Sequence, residues 1–244
     1  MSDTLTILTS LGKPCTKQFE LNNGQMLQKS SGTAYKFNVR ELAINGLDDL
    51  SEALSALETD SQVTIIRGKS VNELPVLSVR RLNENFQAEP RQWCLIDIDD
   101  LLIPKGLEDF KSHLPELVEN SIQQLPAEFQ NVDCWYQFSS SMGIKHGKIR
   151  IHLWFWLSRK VTDFEMKTWL SSPADLNLFQ PVQMHYIARP MFNGGAIDPL
   201  PKRSGKHDAG TGIDTVSVPD DLETRTRSTL SKPRHVRPGG VVES

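Results

Sequence analysis

Two aspartates separated by one residue, in Leu95-Ile96-Asp97-Ile98-Asp99-Asp100, are the first feature of this sequence with a chemical consequence. In an extended strand alternate side chains share a face, so Asp97 and Asp99 stand together while Cys94, Ile96 and Ile98 point the other way. Neighbouring carboxylates repel unless a cation lies between them, and hard divalent metals prefer such oxygen donors. Taken alone, the same spacing also describes a solvated strand end leading into a turn, and that is the commoner case.

Downstream, Lys148-Ile-Arg150-Ile-His152-Leu-Trp154-Phe-Trp156 alternates without a break. Ile149, Ile151, Leu153, Phe155 and Leu157 form an apolar face, which leaves Lys148, Arg150 and His152 in a row on the opposite one. A guanidinium fork, an ammonium point charge and an imidazole N–H together suit a triphosphate. The same row would serve equally as the exposed face of a half-buried sheet. The preceding Ser139-Ser140-Ser141 run, with Gly143, adds hydroxyl and backbone donors.

A third acidic candidate is Asp198, in Gly194-Gly195-Ala-Ile-Asp198-Pro. It is either a strand end that delivers another carboxylate or an ordinary turn aspartate before proline. Arg189, Lys202 and Arg203 flank it. Among the histidines, His185 suits a structural role and His146 an exposed loop, and neither has the i, i+4 partner of a zinc-binding helix. Trp135, Trp154 and Trp156 are expected to pack within the protein, although tryptophan can also stack on bases.

Positioning these groups requires several elements. The first 35 residues mix short β-like runs with the hairpin signal Asn23-Gly24. Leu47, Leu50, Leu54 and Leu57 recur at helical spacing, and Val63 to Arg67 reads as a strand closed by Gly68. A strand over 92–99 is followed by a helical region from Leu107 to Ile122 that Pro115 breaks or restarts. Strands are expected over 132–139 and 149–157, and Thr162 opens a T-x-x-E capping box ahead of a helix carrying Phe164 and Trp169. Val182 to Ala188 supplies another strand. The alternation implies a mixed α/β, or α+β, protein with a partly antiparallel sheet.

A chain of 244 residues can bury a substantial core in one domain or two intimately packed subdomains. With 38% hydrophobic residues, 23% charged residues and a formal net charge of -3, it has the composition of a soluble globular protein. Global charge announces no nucleic-acid binder, but a local basic groove is compatible with it. No apolar stretch has the length of a membrane span or a signal sequence, which predicts a soluble, cytoplasmic protein with no membrane partner. Cys15, Cys94 and Cys134 are odd in number and widely spaced, which argues against a disulfide framework or zinc knuckle and fits a reducing compartment.

Taken in order, Leu95-Ile-Asp97-Ile-Asp99, Arg150-Ile-His152 and Ile197-Asp198 resemble the three motifs of the archaeo-eukaryotic primase superfamily. The run from Ser139 to His152, followed by His185-Tyr-Ile-Ala-Arg-Pro-Met-Phe192 and Asp198-Pro, is most similar to primases of phages, plasmids and integrated elements. The resemblance spans about Thr33 to Arg203, with Arg150 standing where the family's middle motif has serine.

The resemblance implies that Asp97, Asp99 and Asp198 are the catalytic carboxylates and hold two Mg or Mn ions. Ser139, Ser141, Lys148, Arg150 and His152 would then bind the nucleotide. It further implies an N-terminal α/β module (1–85), an RRM-like, ferredoxin-like catalytic module (86–222) and a tail or linker (223–244) leading to a replicative helicase or another partner. The expected activity is that of a DNA primase or primase-polymerase, making short oligonucleotides from nucleoside triphosphates on single-stranded DNA during replication of a phage or mobile element. Arg40, Arg67, Lys69, Arg80, Arg81 and Arg91 are available for template phosphates. A metal-dependent nuclease and a non-catalytic module binding origin or single-stranded DNA are the two rival readings.

Overall fold

The computed structural model describes residues 2–29, 32–145 and 147–231. The chain opens with β1 (Asp3–Ser10), the hairpin of β2 (Gln18–Asn22) and β3 (Gln25–Lys29), β4 (Lys36–Ile44), α1 (Leu47–Leu57) and β5 (Val63–Ile66). Short strands follow: β6 (Lys69–Ser70), β7 (Val76–Arg80) and β8 (Phe86–Gln87). The two longest strands are β9 (Arg91–Leu102) and β11 (Lys148–Val161), separated by α2 (Leu114–Ile122) and β10 (Cys134–Phe138). After α3 (Asp163–Trp169) come β12 (His185–Tyr186), β13 (Met191–Asn193), β14 (Ser204–His207), β15 (Thr215–Val216) and α4 (Leu222–Ser231).

Local chemistry accounts for the key boundaries. The turn between β2 and β3 places both Asn23 and Gly24 at positive φ, as a two-residue hairpin demands. Leu47, Leu50, Leu54 and Leu57 make the buried stripe of α1, and Asp48 and Asp49 lie in its first turn, where the helix dipole favours them. Pro115 sits in the first turn of α2 and so restarts the helical path. Thr162 and Glu165 complete the capping box of α3. Gly68 is required by a close approach, because a Cβ there would lie 2.5 Å from the Pro181 carbonyl oxygen.

Two main sheets result. One runs β12-β5-β1-β4-β7 with every pair antiparallel, and the other runs β14-β10-β11, with β9 on the other side of β11 and β15 pairing parallel to the end of β11. On one face of the second sheet Ile96, Ile98, Ile151, Leu153 and Phe155 pack with α2 and α3. The opposite face changes character along β11. Trp154 and Trp156, with Trp93 and Trp135, bury against α1 and against Leu5, Ile7 and Ile65 of the first sheet. Each buried tryptophan removes roughly 150–250 Å² from water, worth about 5 kcal/mol at 25 cal/mol per Å² before entropy is counted. The aromatic half thus fixes the two sheets together, and His152, where the charged half begins, lines the gap between them.

The α+β class with mostly antiparallel sheets agrees with the pattern of the sequence. Three expectations change. The division at residue 85 is crossed, because β12 pairs with β5 and β13 with β2, so residues 185–193 return to the N-terminal sheets. The strand expected over Val182 to Ala188 shrinks to His185–Tyr186. The expected tail is in part α4, whose Leu222 and Thr226 are buried and which packs on α3. Its sequence, LETRTRSTLS, has too few apolar residues to signal a helix, and the ion pairs Asp221–Arg225 and Glu223–Arg227 at i, i+4 support it instead. The remainder of that expected tail, 232–244, lies outside the described residues.

Candidate functional site

The site is assembled on the β9–β11 ladder. His152 stands directly opposite Asp97, with Nε2 3.6 Å from Oδ1. Beyond this pair the register slips: Ile151 faces Ile98, but Ile149 faces Leu101, so Asp99 and Asp100 together oppose Arg150. This is a β-bulge, which bends a strand and re-aims its side chains. Both carboxylates consequently meet Arg150, with Nη1 3.4 Å from Asp99 Oδ1 and Nη2 3.8 Å from Asp100 Oδ1. Lys148 Nζ lies 2.7 Å from Asp100 Oδ1, and this contact holds the Asp100 carboxyl below its usual range.

On its other side His152 has Gln137 of β10 as its cross-strand neighbour. The Gln137 amide donates to Glu58 Oε2 (3.1 Å) and to the Ile187 carbonyl (2.7 Å). Glu58 is buried just after α1 and also accepts from Ser204 Oγ (2.8 Å) and from Arg189. Among the described residues no hydrogen bond links these side chains to the His152 ring, whose buried Nδ1 has no partner.

A cleft of about 370 Å³ opens beside this ladder, between the two sheets. Asp97, Asp99 and His152 line it together with Ser139 and Ser140. The segment after β1 contributes Thr16 and Lys17, and Asp175 reaches it from the loop after α3. Asp97 is the most enclosed of the carboxylates that line the cleft, and its buried Oδ1 has no hydrogen-bond partner among the described residues. Burial pushes the Asp97 carboxyl up; His152 opposes the shift, and the like charges of Asp99 and Asp175 add to it.

An unpartnered buried carboxylate oxygen beside two further carboxylates is a donor set of hard oxygens, which suits Mg or Mn. Among the described residues no three histidine, cysteine or acidic side chains are grouped closely enough to cage an ion. That agrees with the habit of Mg, which takes one or two carboxylates and completes its octahedron with water and phosphate oxygens.

Asp198 is not among the residues that line the cleft. Residues 196–198 form no strand, and the Asp198 carboxylate is gripped by Arg203, with Nε to Oδ2 at 2.6 Å and Nη2 to Oδ1 at 2.8 Å. Buried Arg203 in turn donates to the Ser139 carbonyl (2.9 Å), so Asp198 anchors the serine loop from behind. Ser139 lines the cleft, while Ser141 is buried within the loop, its Oγ 3.4 Å from that of Ser139. Lys148 and Arg150 engage the bulge carboxylates.

Asp175 and Lys17 are the cleft residues that sequence reasoning missed. Asp175 is tied to the site through its backbone N–H, which donates to the Asp97 carbonyl (2.9 Å), and its carboxylate caps the short turn at Asn177. Neither residue belongs to a periodic element, so only the capping spacing Asp175-x-Asn177 offered a signal, and that signal is purely local.

Arg67 and Arg91, expected among the template contacts, are structural. Arg67 is fully buried and bonds Asp163 (2.7 Å) and the carbonyls of Trp93 (2.7 Å) and Val161 (2.9 Å). Arg91 is buried on Asp3, Thr4 and Thr6. Arg40, Lys69 and Arg80 are exposed, and Arg81 bonds the Val182 carbonyl. His185 is fully buried with its ring edge-on to Trp93 and Trp154, and burial holds its pKa down at about 3. His146 lies outside the described residues. The three cysteines are free and buried. Among the described residues no helix is long and apolar enough to cross a membrane.

No protein-family model and no solved structure matches the chain. It is 27% identical over 213 residues to a protein of Escherichia phage T5 described as "Putative replication origin binding protein". The match covers 80% of this chain and 22% of that protein, so the chain spans about a fifth of the length of the relative it matches.

Proposed function

We propose that this chain acts in phage-type DNA replication as a primase or primase-polymerase, joining nucleotides on a single-stranded DNA template. The observation that carries the reading is the Asp97–His152 pair on the floor of a cleft that also receives Asp99 and Ser139. The succession β9-α2-β10-β11-α3, with β11 between β9 and β10, supports an RRM-like catalytic sheet, since it follows the first five elements of a ferredoxin-like unit.

Asp97 and Asp99 would hold the divalent cation, with Asp175 rather than Asp198 as the nearest further carboxylate. When bound, Mg or Mn would neutralise phosphate charge and lower the pKa of an attacking hydroxyl. His152, with Nε2 3.6 Å from Asp97 Oδ1, would donate an imidazole N–H to a phosphate oxygen. Ser139 would offer a hydroxyl at the same wall. Arg150 would exchange its bulge carboxylates for phosphate once a cation neutralises Asp99.

A second reading draws on the name of the phage T5 relative: a module that binds origin or single-stranded DNA without turnover. The deciding experiment supplies single-stranded DNA, labelled nucleotides and Mg or Mn to wild type, Asp97→Ala and Asp99→Ala. Template-dependent product from wild type alone is expected. No product under any nucleotide mixture, with DNA affinity intact in all three proteins, would favour the binding module. Cleavage of labelled DNA without nucleotides would instead identify a nuclease.

A further inference from the structure

We infer that Lys17 is a phosphate ligand, so that a polyphosphate in the cleft is gripped from the N-terminal module as well as from the β9–β11 ladder. This rests on the nucleotide reading above and assigns a residue outside all three motif segments.

The first support is the rigidity with which the backbone presents this side chain. The Cys15 N–H donates to the Ser61 carbonyl (2.7 Å), Thr16 Oγ1 donates to the Ala188 carbonyl (3.0 Å), and the Lys17 carbonyl accepts from the Met191 N–H (3.0 Å). The next residue begins β2. Three consecutive residues are thus tied to two separate parts of the chain, which removes the backbone entropy a loop lysine would otherwise lose on binding.

The second support is charge. Lys17 is half-buried in the cleft wall, and among the described residues no carboxylate stands within ion-pair distance of it. Two of the charges that act on it are cations: Lys145, from the loop before β11, and Arg150. Burial and these neighbours hold its pKa below that of an ordinary lysine, with Asp99 and Asp97 acting in the opposite sense. Lys17 lines the same cleft as Asp97, Asp99, Ser139 and His152. A polyphosphate coordinated to a cation on the two aspartates would bring an anionic partner to its ammonium.

The test is calorimetric binding of inorganic tripolyphosphate and of ATP, each with Mg, to wild type, Lys17→Met and Lys17→Arg. Lys17→Met is expected to weaken both ligands by on the order of tenfold to a hundredfold, the worth of a charge-assisted bond to phosphate. Lys17→Arg should restore most of the affinity, and the thermal midpoints should coincide. Wild-type affinity of Lys17→Met for both ligands overturns the inference and leaves the nucleotide reading standing. Loss of ATP binding with tripolyphosphate binding intact also overturns it, by placing Lys17 on the nucleoside. Wild type that binds neither ligand overturns the nucleotide reading itself. If Lys17→Met does not fold, Lys17→Gln takes its place with the same outcomes.

Discussion

His152 and Asp97 face each other across the β9–β11 ladder at 3.6 Å, and the Asp97 Oδ1 that approaches the ring has no hydrogen-bond partner among the described residues. A buried carboxylate in that state costs the fold free energy and invites a cation. Asp97→Asn should therefore weaken Mn binding by roughly tenfold or more, since even partners one shell removed from a metal carry that much affinity. In metal-free buffer its melting temperature should equal or exceed that of wild type. Unchanged Mn affinity by calorimetry would remove Asp97 from the metal site.

Asp175 and Asp198 are separable by substitution. Asp175→Ala should lower Mn affinity and leave the melting temperature within about 2 °C, because its carboxylate is exposed and caps only a short turn. Asp198→Ala strands the buried Arg203 guanidinium and should cost roughly 2–4 kcal/mol, less than a wholly buried pair because Asp198 is partly exposed. Urea unfolding and metal titration of both variants decide the matter. The opposite pattern would return Asp198 to the metal.

Arg67 and Arg80 make a similar contrast. Arg67→Met leaves Asp163 without its partner and breaks two bonds to strand carbonyls, so a loss on the order of 3–5 kcal/mol is expected. Arg80→Ala, at an exposed position, should change stability by no more than about 0.5 kcal/mol while reducing affinity for single-stranded DNA and flattening its salt dependence. Binding isotherms at two salt concentrations test the second half.

His185 gives the stability an acid limb. Unfolded, the ring takes a proton below about 6.5, whereas in the fold it stays neutral down to about 3. Between those values the unfolded state binds more protons, so stability falls with acidification by up to about 1.4 kcal/mol per pH unit and gains no slope from this group above 6.5. His185→Phe removes that dependence. Relative to wild type the variant should gain about 2 kcal/mol between pH 7.5 and pH 5, whatever its offset at pH 7.5. A difference that does not move with pH, in urea titrations at both values, would contradict a neutral buried ring.

What the sequence determined by itself was the contents of each face. Strand alternation is local backbone geometry, so Asp97 with Asp99, and Lys148 with Arg150 and His152, could be grouped before any fold was known. The same locality made the hairpin at Asn23-Gly24, the leucine stripe of α1 and the capping box at Thr162 legible. Only the tertiary structure decided how those faces meet. The bulge that turns both Asp99 and Asp100 onto Arg150 is a property of the pairing of two strands and of neither strand alone. Asp175 and Lys17 enter the cleft through loops whose course is set by bonds to Asp97, Ala188 and Met191. Asp198 is bonded to Arg203 outside the cleft lining, and Arg67 and Arg91 are drawn into the interior by carbonyls and hydroxyls far away in the chain. Long-range hydrogen bonds and burial carry no period along the sequence, so no local pattern could announce them.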